Sequence, residues 1–204
     1  WHDHRIHWMS PSTPALIDAE GTVQHWTLTL VVDGTSHTVA GTLYLRGHHS
    51  VLWWFTGLVG AMTAAFLAVR SRKRYYASLT WVAALGTVTG LLQWLSLPSA
   101  ARVTPLMLMF GIGALIAANV AMVLHRHTDR GPQMEWIASS MSAGSGAAML
   151  LAAWMSWQQV QSAYVPMIGP VWVARITVTT LLGAGVVAVV DGVLRAVRVQ
   201  PNPD

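Results

Sequence analysis

Five apolar runs, at about residues 51–69, 77–97, 105–124, 136–157 and 171–191, constrain this chain more than any other feature. Each is close to the ~20 residues that cross a bilayer as an α-helix. Charged residues make up 10% of the chain, where a soluble domain carries about 25%. The predicted fold is therefore a membrane all-α, five-transmembrane-helix bundle, residues 51–198. Residues 1–50 would form an extracytoplasmic His-rich segment with a β-hairpin, and residues 199–204 a cytoplasmic tail.

Orientation is read from the basic residues. Arg70, Arg72, Lys73 and Arg74 lie between runs 1 and 2, Arg126 and Arg130 between runs 3 and 4, and Arg195 and Arg198 after run 5. Cytoplasmic loops collect Lys and Arg, so these three segments are expected inside. The N-terminus is then outside and the C-terminus inside, in a multi-pass protein of the plasma membrane. Trp53, Trp54, Trp94, Trp154, Trp157 and Trp172 fall near the outer interface, where an aromatic belt sits. The net charge of +4 and a pI of about 10.1 do not imply nucleic acid, because the basic residues cluster at the ends of apolar runs. The chain opens on Trp1 rather than Met, so a signal peptide or further ectodomain upstream is expected.

Ahead of the first run, Val23–Val32 and Thr35–Arg46 are rich in Val, Thr, Leu, Trp and Tyr, and Asp33-Gly34 stands between them. That dipeptide forms a two-residue turn whose twist matches a strand pair, which predicts a hairpin. The turn sets the register: Val32 faces Thr35, Leu30 faces His37, Leu28 faces Val39, and Trp26 faces Gly41. His25 and His37 then point to opposite faces. A lone hairpin is marginal in water and needs something to pack on.

Chemistry-bearing side chains concentrate at Trp1–Met9, WHDHRIHWM. Imidazole, carboxylate and thioether are ligands for copper, zinc or iron. His2 and His4 share one side of an extended segment, whereas in a helix His4 and His7 become neighbours. The candidate metal ligands are His2, His4 and His7 with Asp3 and Met9, completed by His48 and His49 beside the first run. With no cysteine in the chain, thiolate sites are excluded, and copper is favoured over zinc. The other reading, equally open here, makes these His and Trp residues interfacial packing groups. No histidine lies inside a run, so no haem is expected between the helices.

Apart from Arg175 and Asp191 near the two ends of run 5, the polar residues within the runs are uncharged, and Gln93, Asn119, Ser139, Ser140, Ser142, Ser145, Thr177, Thr179 and Thr180 suit helix–helix hydrogen bonds. Glycines recur at 57, 60, 111, 113, 144, 146, 183 and 185, where they permit close helix contact. Asp191 has Arg195 four residues on, the spacing of a helical ion pair, and Arg175 sits about a turn inside run 5, from where it can snorkel outward. A pump or ion path would want charge at mid-bilayer, and none is there. No Walker loop, G-x-G-x-x-G, H-E-x-x-H or G-x-S-x-G occurs, so the expectation is a protein that is not an enzyme.

The string WHDHRIHWMSPSTP, followed by a short β-rich stretch and several spans, resembles a group of actinobacterial-type polytopic membrane proteins. In that group an H-D-H-R-x-H-W-M motif closes an extracytoplasmic region ahead of the helices. The resemblance implies a cell-envelope protein linked to copper handling. The expected function is metal binding or delivery by the outer His-rich segment. The alternative is a non-catalytic accessory subunit of a larger membrane complex. The expected partners are the lipid bilayer and either another membrane protein or a second copy of the chain.

Overall fold

The computed structural model describes residues 14, 17–18, 21–45, 51–99, 102, 104–162 and 165–199. The chain divides into two compact units, Trp1–His48 and His49–Asp204.

In the first unit, β1 (Thr22–Val32) and β2 (Thr35–Tyr44) form a two-stranded antiparallel sheet. Asp33 (φ 50°) and Gly34 (φ 79°) both take positive φ, as a type I′ turn requires. The expected register is the observed one: Val32 pairs with Thr35, Leu30 with His37, Leu28 with Val39, and Trp26 with Gly41. The Trp26 ring lies over Gly41, filling the space a side chain would take there. Leu28 is buried. The second strand ends at Tyr44, two residues short of the expected Arg46, and the pairing is irregular between Thr22 and Gln24.

The second unit holds five helices: α1 (Trp53–Arg70), α2 (Arg72–Ser96), α3 (Leu106–His125), α4 (Pro132–Ser156) and α5 (Val171–Arg198). All five are long and apolar enough to cross a membrane. Three begin or end outside the apolar runs. α2 starts at Arg72 instead of 77, α4 at Pro132 instead of 136, and α5 continues to Arg198 instead of 191. The added turns carry charge: Arg72, Lys73 and Arg74 on α2, Glu135 on α4, and Arg195 and Arg198 on α5. A helix does not stop where hydrocarbon stops, and Pro132 at the first helical turn is pre-set for helix entry.

Close contacts set the directions. Gly57 and Gly60 of α1 meet Thr179 and Thr180 of α5, so these two helices run parallel. Gly86 of α2 meets Leu181, and Thr89 bonds Thr177 (3.1 Å), so α2 is antiparallel to α5. Gly90 and Gly111 bring α2 against α3, Ser145 Oγ donates to the Ala114 carbonyl across α3–α4 (2.9 Å), and Gly146 and Gly185 bring α4 against α5. α2 through α5 thus close a four-helix group, and α1 packs outside it on α5, with a smaller contact on α2. The core is small: Ala83, Ala114, Ala118, Ala152, Ala174 and Ala188 are fully or almost fully buried around Leu79, Met149 and Leu181. Outward faces are apolar, with Phe66, Val69, Trp81 and Trp154 more than 60% exposed, as helices facing lipid require.

This alternation gives the helical unit two ends. The tryptophan end gathers the start of α1, the end of α2, the start of α3, the end of α4 and the start of α5. The basic end gathers Arg70, Arg72, Lys73, Arg74, Arg126, Arg130, Arg195 and Arg198, eight of the twelve Lys and Arg residues.

Candidate functional site

The predicted ligand set, His2, Asp3, His4, His7, Met9, His48 and His49, lies outside the described residues. Of the described histidines, His25 and His37 belong to the hairpin, and His125 and His127 lie at the end of α3 and just beyond it. His25 Nδ1 bonds Thr42 Oγ1 across the hairpin (2.9 Å), and His37, opposite Leu30, projects to the other face. His125 packs against Tyr76 with the rings tilted by 40° and their centroids 4.8 Å apart. Among the described residues no three His, Asp or Glu side chains come together as metal ligands would.

At the tryptophan end, a cavity of about 310 Å³ opens between the end of α2, the start of α3, the end of α4 and the segment around Val165. Its lining includes Gly90, Gln93, Trp94, Leu97, Thr104 and Met107, and, across from them, Met155, Ser156, Gln159 and Val165. None of the described lining residues is ionisable. Gln93 and Gln159 pair reciprocally, Nε2 to Oε1 at 2.6 Å in one direction and 3.1 Å in the other. Gln159 stands in a short 3-10 turn, Trp157–Val160, that continues α4. Arg102 lies at the rim, with its guanidinium 4.9 Å from the Trp94 ring and its Nε donating to the Leu97 carbonyl (3.2 Å).

The basic end holds an ion network. Arg72 grips Asp191 with two parallel bonds, Nη1 to Oδ2 at 2.5 Å and Nη2 to Oδ1 at 2.9 Å. Arg195 reaches Asp191 at 3.4 Å and Glu135 at 3.5 Å. The expected i,i+4 pair between Asp191 and Arg195 is therefore the longer of Asp191's two contacts. Its stronger partner comes from α2, 119 positions away in the chain. The reason is geometric, since a guanidinium presented end-on from a facing helix can make the bidentate fit that a neighbour on the same helix cannot. Behind the network, the hydroxyls of Tyr75, Ser139 and Ser142 are buried with no hydrogen-bond partner among the described residues.

No protein family, curated protein or solved structure is found to match this chain.

Several sequence expectations resolve differently in three dimensions. Gln93, Ser145, Thr177 and Thr179 do make interhelical bonds, the last to Thr56 at 2.5 Å. Asn119 instead turns back to the Leu115 carbonyl of its own helix (2.8 Å), which satisfies its donor without a neighbour. Arg175 does not snorkel to water. It is 4% exposed, donates to the Ser162 carbonyl (3.0 Å) and lies over Trp53. The chain following α4 covers it, so its charge is met by a carbonyl dipole and a ring face. Gln159 was not foreseen as a site residue. Its only sequence signal is a polar Gln158-Gln159 pair closing an apolar run.

Proposed function

We propose that this chain is a plasma-membrane copper-binding protein that presents its N-terminal histidines on the outer face and takes part in metal handling without catalysing a reaction. The observation that carries the reading is the segregation of charge between the two ends of the helical unit. The basic end is the one that the charge bias of membrane insertion keeps in the cytoplasm. α1 begins at the opposite end, so the residues ahead of it in the chain belong to the outer side. His2, His4, His7, Asp3, Met9, His48 and His49 all precede α1. Copper accepts imidazole and thioether together, and zinc is the next best fit to imidazole and carboxylate. The helices serve as the anchor.

The test is elemental analysis of the full chain after purification and exposure to copper(II), copper(I) or zinc(II). The expected result is close to one copper per chain, lost when His2, His4 and His7 are changed together to Ala. Metal-free protein after all three exposures, with the fold intact, overturns the reading.

A second reading, an accessory subunit of a larger membrane assembly, is favoured by α1. Its buried residues are Gly57, Ala64 and Ala68 alone, and Phe55, Leu58, Met62 and Phe66 are left exposed along its outer side. Native mass spectrometry from mild detergent would reveal a co-purifying chain, and a single uncomplexed species with full metal binding would argue against it.

A further inference from the structure

The cavity at the tryptophan end carries an inference independent of the metal reading. We propose that it holds part of one acyl chain of an anionic glycerophospholipid whose phosphate rests on Arg102.

Three observations point to this occupant. The first is depth. The cavity lies level with Trp94, in the turn of the bundle where Trp53, Trp154 and Trp157 also gather. Tryptophans sit where hydrocarbon meets headgroup, so the cavity straddles that boundary. The second is the chemistry of its walls. Leu97, Leu106, Met107, Met155 and Val165 offer hydrocarbon contact with no ionisable group among the described lining residues. At about 310 Å³ it stands at the lower limit for a small-molecule pocket, so it suits a segment of a ligand whose remainder lies outside. The Gln93–Gln159 pair interrupts the apolar wall at one place. After their mutual bonding each amide keeps one N–H, which can donate to an ester carbonyl at the depth where a glycerolipid carries its esters.

The third observation is the cation. Arg102 is exposed at the rim, and it is held there at two points, by the Trp94 face and by the Leu97 carbonyl. Its two terminal nitrogens make no hydrogen bond and no ion pair among the described residues. A fixed guanidinium with free paired donors matches the oxygens of a phosphate. Arg102 and Arg175 are the only Lys or Arg residues of the helical unit at this end, and Arg175 is buried, so within this unit Arg102 is the exposed arginine available to an anion.

The test uses the full chain, washed free of co-purified lipid in mild detergent, and native mass spectrometry with dioleoyl phosphatidylglycerol, dioleoyl phosphatidylcholine or soluble glycerol 3-phosphate. One phosphatidylglycerol should be retained in preference to phosphatidylcholine, and glycerol 3-phosphate should neither bind nor compete. Arg102→Gln should weaken phosphatidylglycerol about fivefold, the worth of one cation near an anionic headgroup, and abolish the preference, while Arg102→Lys keeps it. Changing Gln93 and Gln159 together to Leu removes both amides without orphaning either, and should weaken both lipids alike. Equal retention of the two lipids by the unmodified chain, or an unchanged preference in a folded Arg102→Gln variant, overturns the proposal. So does effective competition by glycerol 3-phosphate, which would mark a site for a soluble anion. Arg102 lies outside every helix, so this variant is readable even where the double Gln change fails to fold.

Discussion

A methyl group added at Gly183 would collide with the carbonyl oxygen of Gly57 and crowd the Ala61 amide nitrogen of the neighbouring helix. Both partners are backbone, which cannot swing aside as a side chain does. Gly113 offers the contrast, with nothing within 4 Å of the same added carbon. The two glycines look alike in the sequence, where each stands in an apolar run beside another small residue. Gly183→Ala should lower stability by about 1–3 kcal/mol, the usual cost of overpacking a tight contact. Gly113→Ala should stay within about 0.5 kcal/mol of the parent, as exposed substitutions do. Thermal unfolding of both variants in one detergent checks the pair, and equal losses would mean that α1 and α5 do not meet through Gly57 and Gly183.

At the scale of the element, the joints between helices are made in two ways. Glycine contacts join the helices along their length, and hydroxyl bonds such as Thr56–Thr179 and Thr89–Thr177 hold the half nearer the tryptophan end. Each such interhelical bond contributes about 0.6 kcal/mol on average in membrane proteins, so they direct packing more than they drive it. The basic end is held by charge, with Arg72 and Asp191 each about one-fifth exposed. Losing one partner of a charged, two-bond contact costs about 1.5–3 kcal/mol. Asp191→Asn and Arg72→Gln should therefore each destabilise by an amount in that range, and the double variant should lose clearly less than the sum, because the same contact is removed in both. Strictly additive losses by thermal unfolding would show that the pair contributes no coupling. The hairpin is the element whose internal geometry was most legible beforehand. Its turn is local, and once Asp33 and Gly34 occupy a two-residue turn, the pairs from Val32–Thr35 to Gln24–Leu43 follow by counting; only the irregularity at Thr22 does not.

For the whole molecule the central quantity is which end faces the cytoplasm. The chain has no cysteine, so single cysteines can be introduced without background. Ser99 and Asp129 are both exposed, the first beyond α2 at the tryptophan end and the second between α3 and α4 at the basic end. Ser99→Cys should react with a membrane-impermeant maleimide on intact cells, whereas Asp129→Cys should react only after the membrane is opened. The reverse pattern would place the N-terminal histidines inside the cell and remove the basis of the copper reading. A five-span chain puts its two termini on opposite sides, so one well-behaved pair of positions decides the orientation of the rest.

Five helices long and apolar enough to span a membrane, the hairpin with its register, and the separation of basic from aromatic ends were all present in the sequence, because each depends on short-range quantities: run length, a two-residue turn, and the sign of the charges flanking a run. The helix limits were less legible, since α2, α4 and α5 extend into polar turns that hydropathy alone does not mark as helical. Partner choice required the fold. Asp191 meets Arg72, Gln93 meets Gln159, and Arg175 lies under the connector after α4 because the packing of α2, α4 and α5 brings together positions 13 to 119 residues apart. Spacing along one helix cannot report on distances between helices. That is why the histidine-rich leader was conspicuous from composition, while the cavity behind Arg102 emerged only from the tertiary structure.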